Sequence, residues 1–187
     1  AVACETCHIP QMYAPAIQSY DWTVLTLNKQ PVKVYRGVNG NPNSVTSLVT
    51  GYDFLQDAAI AVKTELDAGT GTTGDALITP SGTSPQAPGS WKAADLGAKL
   101  FGSRHDVIFL AGHFSANSAL AADFSTSVLT TDLAAASNDF TNSIVLSAGC
   151  HAGYNLVDGD SIPGVTLPLD WAHAFARKKA TLIAGTG

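Results

Sequence analysis

Two stretches of this sequence end in residues that could carry nucleophilic chemistry. "DVIFLAGH" closes on His113 and "SIVLSAGC" closes on Cys150, each after an apolar run and a glycine. A free thiol is only a few per cent thiolate at neutral pH; a nearby imidazole can take its proton during attack or hold a thiolate as an ion pair. The glycine before each residue lets the backbone turn sharply and a substrate approach closely. Plainer readings stand beside this one. A lone Cys after an apolar strand is commonly a small buried hydrophobe, and a lone His there is commonly a polar loop residue. The coincidence of both at strand ends favours chemistry.

That chemistry requires elements that bring the two residues to one rim. Apolar runs alternate with helical patterns from about residue 46 onward. "VTSLVTGY", "DALITP", "DVIFLAG", "SIVLSAG" and "ATLIAGTG" read as strands. "DFLQDAAIAVKTELDAG" reads as a helix presenting Phe54, Ala58, Val62 and Leu66 on one face, with Asp53 capping its start and Gly69 its end. "SWKAADLGAKLFG", from a capping Ser90 to Gly102, "TTDLAAAS" and "PLDWAHAFARKK" read as further helices. Runs such as "VIFLA" do not alternate, which suits strands covered on both faces in a parallel sheet. The expected fold is an α/β/α sandwich. Ligands of such sheets bind beyond the carboxyl ends of the strands, and neighbouring strands lie about 5 Å apart, so His113 and Cys150 fall within reach if their strands are adjacent. Residues 1–45 are irregular, with strands at Trp22–Leu27 and Val32–Tyr35. The chain reads as a fragment of something longer, its last strand cut at the carboxyl end.

A second motif, "CETCH", places Cys4, Cys7 and His8 at the spacing of c-type haem attachment, where two thioethers hold the porphyrin and the histidine ligates iron. A local disulfide, a partial zinc site or coincidence are alternatives. The Pro-rich stretch that follows supplies no helices to enfold a haem. Asp158, Asp160 and Asp170 could floor a pocket for a basic side chain, hold calcium or be solvated loop charges. His151 is a further base, but neighbours on an extended backbone point to opposite sides. His105 and His173 read as structural or exposed, and Asp106 as a surface residue.

The bulk properties narrow the setting. The 187 residues suffice for one domain with a sizeable core. Charged residues make up 13%, against roughly a quarter in a typical soluble domain. That composition suits a secreted, periplasmic or cell-surface protein. A net charge of −5 with ten scattered basic residues argues against nucleic acid. No apolar run approaches the roughly 18 residues of a membrane span.

The two motifs together, "DVIFLAGHFSAN" and "SIVLSAGCHAGYN", resemble the His and Cys motifs of the cysteine-peptidase clan that contains caspases, clostripain and gingipains, and most of all the gingipain-like family. "SLVTGYDFLQDAA", "ALAADFSTSVLTTDLAAAS" and "PLDWAHAFARKKATLIAGTG" resemble further segments of that family, so the likeness spans about residues 45–187. It implies a caspase-like α/β/α fold, a protein or peptide substrate, Cys150 as nucleophile and His113 as general base or proton shuttle. The oxyanion would be held by the backbone N–H groups of Cys150 and Phe114, and no cofactor would be required. The family pattern has His-Gly where this chain has His113-Phe114, and a phenylalanine there restricts the backbone and narrows the cleft. That departure leaves an inactive binding or structural module as an alternative, beside an electron-transfer protein built on the "CETCH" motif.

Overall fold

The computed structural model describes residues 19–25, 31–34, 45–155 and 169–186. The "CETCH" motif, Asp158 and Asp160 lie outside them. The chain divides into two compact units, Ala1–Ser44 and Val45–Gly187. In the first, β1 (Ser19–Leu25) pairs antiparallel with β2 (Pro31–Val34), with an irregularity between Asp21 and Leu25.

The second unit is built on a five-stranded parallel sheet. Its strands are β3 (Ser47–Gly51), β4 (Asp75–Ile78), β5 (Val107–Leu110), β8 (Ile144–Ser147) and β9 (Thr181–Ala184), in the order β4-β3-β5-β8-β9. Helices α1 (Gln56–Thr70), α2 (Ala93–Gly102), α3 (Thr130–Ala135) and α4 (Trp171–Arg177) connect them. Between β5 and α3 the chain makes a small antiparallel hairpin of β6 (Ser118–Leu120) and β7 (Ser127–Leu129). The protein is therefore α/β, with a mainly parallel sheet flanked by helices. No helix among the described residues is long and apolar enough to cross a membrane.

The strand order dictates which face each helix covers. Parallel crossovers are right-handed, so when the chain reverses direction after β4 its helices change faces. Leu96 and Leu100 of α2, Leu133 of α3 and Trp171 and Phe175 of α4 pack with Leu48, Ile108, Leu110 and Val145 in one core. On the other face α1 sets Ala59 close to Gly51 of β3. Beyond β3 that second face is thinly covered: Ile144 is 41% and Ile183 54% exposed. Among the described residues, three of the four helices share one face, so the strands that read as apolar on both faces are covered by helices mainly on that one.

Several local expectations shift. Asp53 does not cap α1; it opens a short 3-10 turn, Asp53–Leu55, and α1 starts at Gln56 with no side-chain cap. The helix runs past Gly69 to Thr70, and Gly71 takes the left-handed conformation at φ 70°. Its buried side chain is Ala59, so the inward face sits one residue on from Ala58, and Phe54 is 60% exposed. Ser90 does not cap α2, because its hydroxyl donates to the Ser84 carbonyl; the Asp95 carboxylate accepts the Lys92 N–H instead. Asp106 is half-buried rather than a plain surface residue. Its carboxylate accepts the Val45 and Thr46 N–H groups and the Thr46 hydroxyl, and pairs with Arg104 at 2.9 Å.

Candidate functional site

The strands β5 and β8 are adjacent and in register, Leu110 opposite Ser147. His113 and Cys150 each lie three residues beyond that last pair, so they leave the same rim at equivalent positions. The Ala148 N–H still donates to the Leu110 carbonyl at 2.9 Å, which carries the pairing one step further toward them. Both residues are exposed, and Cys150 is a free thiol. Among the described residues no hydrogen bond joins the His113 ring to the Cys150 sulfur.

The backbone of His113 is held from two sides. Its N–H donates to the Tyr52 hydroxyl at 3.1 Å, and its carbonyl accepts the Leu120 N–H at 2.9 Å. The Tyr52 hydroxyl in turn donates to the Leu120 carbonyl. Burial pushes the Tyr52 phenol above its ordinary value, the His113 N–H works against that rise and the nearby Asp123 carboxylate adds to it. The phenol is thus held protonated, as a hydrogen-bond donor must be. Gly112 permits the arrangement: a Cβ there would meet the Tyr52 ring at 2.8 Å.

The His113 ring lies among aromatic neighbours. Its centroid is 5.3 Å from Tyr52, 5.8 Å from Phe54 and 5.6 Å from Phe124. Phe124 reaches it from the β6–β7 turn with φ 51°, a conformation uncommon for a bulky side chain. The Asp123 carboxylate fixes this turn by accepting the N–H groups of Ser125 and Thr126 and the Thr126 hydroxyl. Burial works to raise the Asp123 carboxyl, but those donors prevail and hold it below the ordinary range.

Phe114 does not narrow the cleft as its bulk suggests. Its ring packs inward against Trp171, at 5.9 Å between centroids, and over Gly149. A Cβ on Gly149 would lie 2.1 Å from the Phe114 ring, so a large residue after the histidine and a glycine before the cysteine fit as a pair. Phe114 bridges Ala119, and the bridge closes through Ser115 N–H to Ser118 and Leu120 N–H to His113. Phe114 therefore occupies the non-hydrogen-bonded position, leaving its own N–H outside the bridge. Among the described residues no hydrogen bond uses the N–H of Phe114 or of Cys150.

Immediately after Cys150 the chain turns. His151 is left-handed at φ 57°, and its Nδ1 lies 3.0 Å from the Thr186 carbonyl beyond β9. The remaining polar residues have structural partners. His105 is buried with Nε2 3.1 Å from Asp75. His173 lies 2.9 Å from Asp170, which caps α4 by accepting the His173 N–H. Asp170 is itself 1% exposed, a helix cap rather than a solvated loop charge. Among the described residues no group of three His, Cys, Asp or Glu side chains could hold a metal ion.

Tyr52, Phe54 and Phe124 escape sequence reasoning although a signal for the first two exists. "GYDF" follows β3 directly, and the rule that sites form beyond carboxyl strand ends applies to β3 as it does to β5 and β8. Comparison with family models, with curated proteins and with solved structures yields no match to this chain.

Proposed function

We propose that Val45–Gly187 is a cysteine peptidase domain of the caspase-like α/β/α type, similar to the gingipain-like family, with Cys150 as nucleophile and His113 as proton shuttle. The observation that carries this reading is the equivalence of the two residues on adjacent parallel strands, three positions beyond the Leu110–Ser147 pair. The Phe114 and Cys150 N–H groups, which have no hydrogen bond among the described residues, add two donors for a developing oxyanion. Attack forms a bond between the Cys150 sulfur and the substrate carbonyl carbon while the thiol proton passes to His113. Collapse of the tetrahedral intermediate breaks the C–N bond, and the proton moves from His113 to the leaving amine. Water then releases the acyl group and restores the thiol. The substrate is a protein or peptide, and the low content of charged residues supports an extracytoplasmic setting.

The test is hydrolysis of a mixed peptide substrate by the parent, Cys150→Ala and His113→Ala proteins. Cleavage that vanishes in the first variant and falls about 10²–10⁴-fold in the second is expected; cleavage that survives Cys150→Ala sinks the reading. The alternative, an inactive module on the same fold, draws on the His113 ring packing among three aromatic rings with no hydrogen bond to Cys150. No cleavage by well-folded parent protein would favour it.

A further inference from the structure

The rings around His113 form a graded surface. Tyr52 is fully buried and makes the floor, touching Phe54, His113 and Phe124 at 5.6, 5.3 and 5.3 Å between centroids. Phe54 and Phe124 flank the imidazole, each tilted 40° to it, and are 60% and 37% exposed. Two separate costs are borne here. An exposed phenylalanine forgoes burial worth more than most side chains can offer, and Phe124 holds a left-handed backbone that a glycine would take without strain. Features of this kind cluster where a surface meets a ligand.

What the ligand presents there follows from the proton path. In the proposed reaction the atom nearest the His113 ring during C–N cleavage is the leaving nitrogen. The side chain closest to Phe54 and Phe124 is therefore that of the residue supplying the leaving amine. The acid of the Phe124 turn is otherwise engaged: the Asp123 carboxylate is spent on the Ser125 and Thr126 donors of its own turn. The surface thus offers apolar rings and no free countercharge from that turn for a basic side chain.

We propose that Phe54, His113 and Phe124, backed by Tyr52, form a subsite selecting a large apolar or aromatic side chain on the amine side of the scissile bond. This inference rests on the peptidase reading and specifies which substrates that site takes. It makes Phe54 and Phe124 specificity-determining residues and Tyr52 a positioning residue that fixes the floor and the His113 backbone.

The experiment digests a peptide library of mixed sequence and reads both sides of each cut by mass spectrometry. Phe, Tyr, Trp, Leu and Met should be enriched about tenfold over Gly, Ser and Asp at the new amino termini, the scale expected from burying one such side chain. Phe54→Ala and Phe124→Gly should flatten that enrichment while the preference on the acyl side of the same cuts stays as in the parent. The glycine variant removes the strained conformation, so loss of folding does not mask its result. A flat amine-side profile in the parent overturns the subsite and leaves the peptidase reading intact. An unchanged profile in both variants does the same. Should the parent cut nothing, the peptidase reading fails. The surface is then tested by NMR titration with the dipeptide amides Phe-Gly-NH2 and Gly-Gly-NH2. Selective binding of the Phe peptide that Phe54→Ala abolishes supports aromatic recognition, and equal binding overturns it.

Discussion

The two ends of the parallel sheet treat their charged and reactive side chains differently. At the amino end every prominent charge has a partner: Asp75 meets Lys99 at 2.6 Å and His105 at 3.1 Å, and Asp106 joins the Val45 and Thr46 backbone to Arg104. At the carboxyl end the Cys150 thiol and the His113 ring have no hydrogen bond among the described residues, and Phe54 and Phe124 are exposed. Left-handed residues occur in turns at both ends, Asn142 and Lys179 near the amino end and Phe124 and His151 at the carboxyl end, where the latter two adjoin the two candidate catalytic residues. Satisfied groups hold a fold together; groups left unsatisfied at a rim are available to something else. The same sheet thus spends its amino end on stability, while the proposed function assigns recognition and chemistry to its carboxyl end.

That contrast can be broken most forcefully at the carboxyl end. His113→Ala should cost about 3–5 kcal/mol of barrier lowering, the equivalent of a 10²–10⁴-fold fall in rate, yet leave the unfolding free energy measured in urea within about 0.5 kcal/mol of the parent. A large loss of stability would mean that the ring is a packing element. Gly149→Ala tests the coupling between the two motifs. The added methyl meets the Phe114 ring, and destabilisation of about 1–3 kcal/mol is expected by urea unfolding. Phe114→Ala in the same chain should recover part of it, because the obstruction is then gone.

Changes at the amino end should move stability alone. Asp106→Asn leaves the Val45 and Thr46 donors with a weaker acceptor and should cost about 1–3 kcal/mol while the alkylation rate of Cys150 stays put. Burial works to raise Asp106, but the Val45 N–H, the Thr46 hydroxyl and Arg104 prevail and hold it below the ordinary Asp value of 3.8. Asp75 is held below the same value by Lys99 first and His105 second. The unfolded chain therefore binds these protons more readily. Their contribution is fully present above the ordinary value and is lost as pH falls through the depressed ones. Urea midpoints should decline from about pH 4 downward, with a shallower slope in Asp106→Asn. The smallest effect is expected for His151→Gly, where relief of the left-handed strain offsets lost chain stiffness to within about 0.5 kcal/mol.

The parts of this molecule legible in the sequence are those governed by local pattern. The apolar runs gave β3, β4, β5, β8 and β9 near their observed bounds, and helical spacing located α1, α2, α3 and α4, because burying one face of an element demands those periods. The adjacency that brings His113 and Cys150 to one rim followed from strand order, which the sequence left conditional. What stayed hidden depends on distant segments meeting. The β6–β7 hairpin has strands of three residues and a turn fixed by the Asp123 carboxylate, too short for any period to register. The inward turn of Phe114 depends on Gly149 and Trp171, both remote in the chain. The Phe54 ring, read as part of a helix face, belongs instead to the aromatic surface because the helix starts two residues later. The half-covered second sheet face follows from crossover handedness acting on the whole topology, not from any one strand.

The most direct test of the central claim is the rate at which iodoacetamide alkylates Cys150 near neutral pH, followed by mass spectrometry in the parent and in His113→Ala. If the two residues act together, the parent thiol reacts at least about fivefold faster than the variant's, since only there does an imidazole accept its proton. Equal rates in the two proteins would contradict the account: Cys150 would then be an ordinary exposed thiol, and the rim would be a surface without a nucleophile.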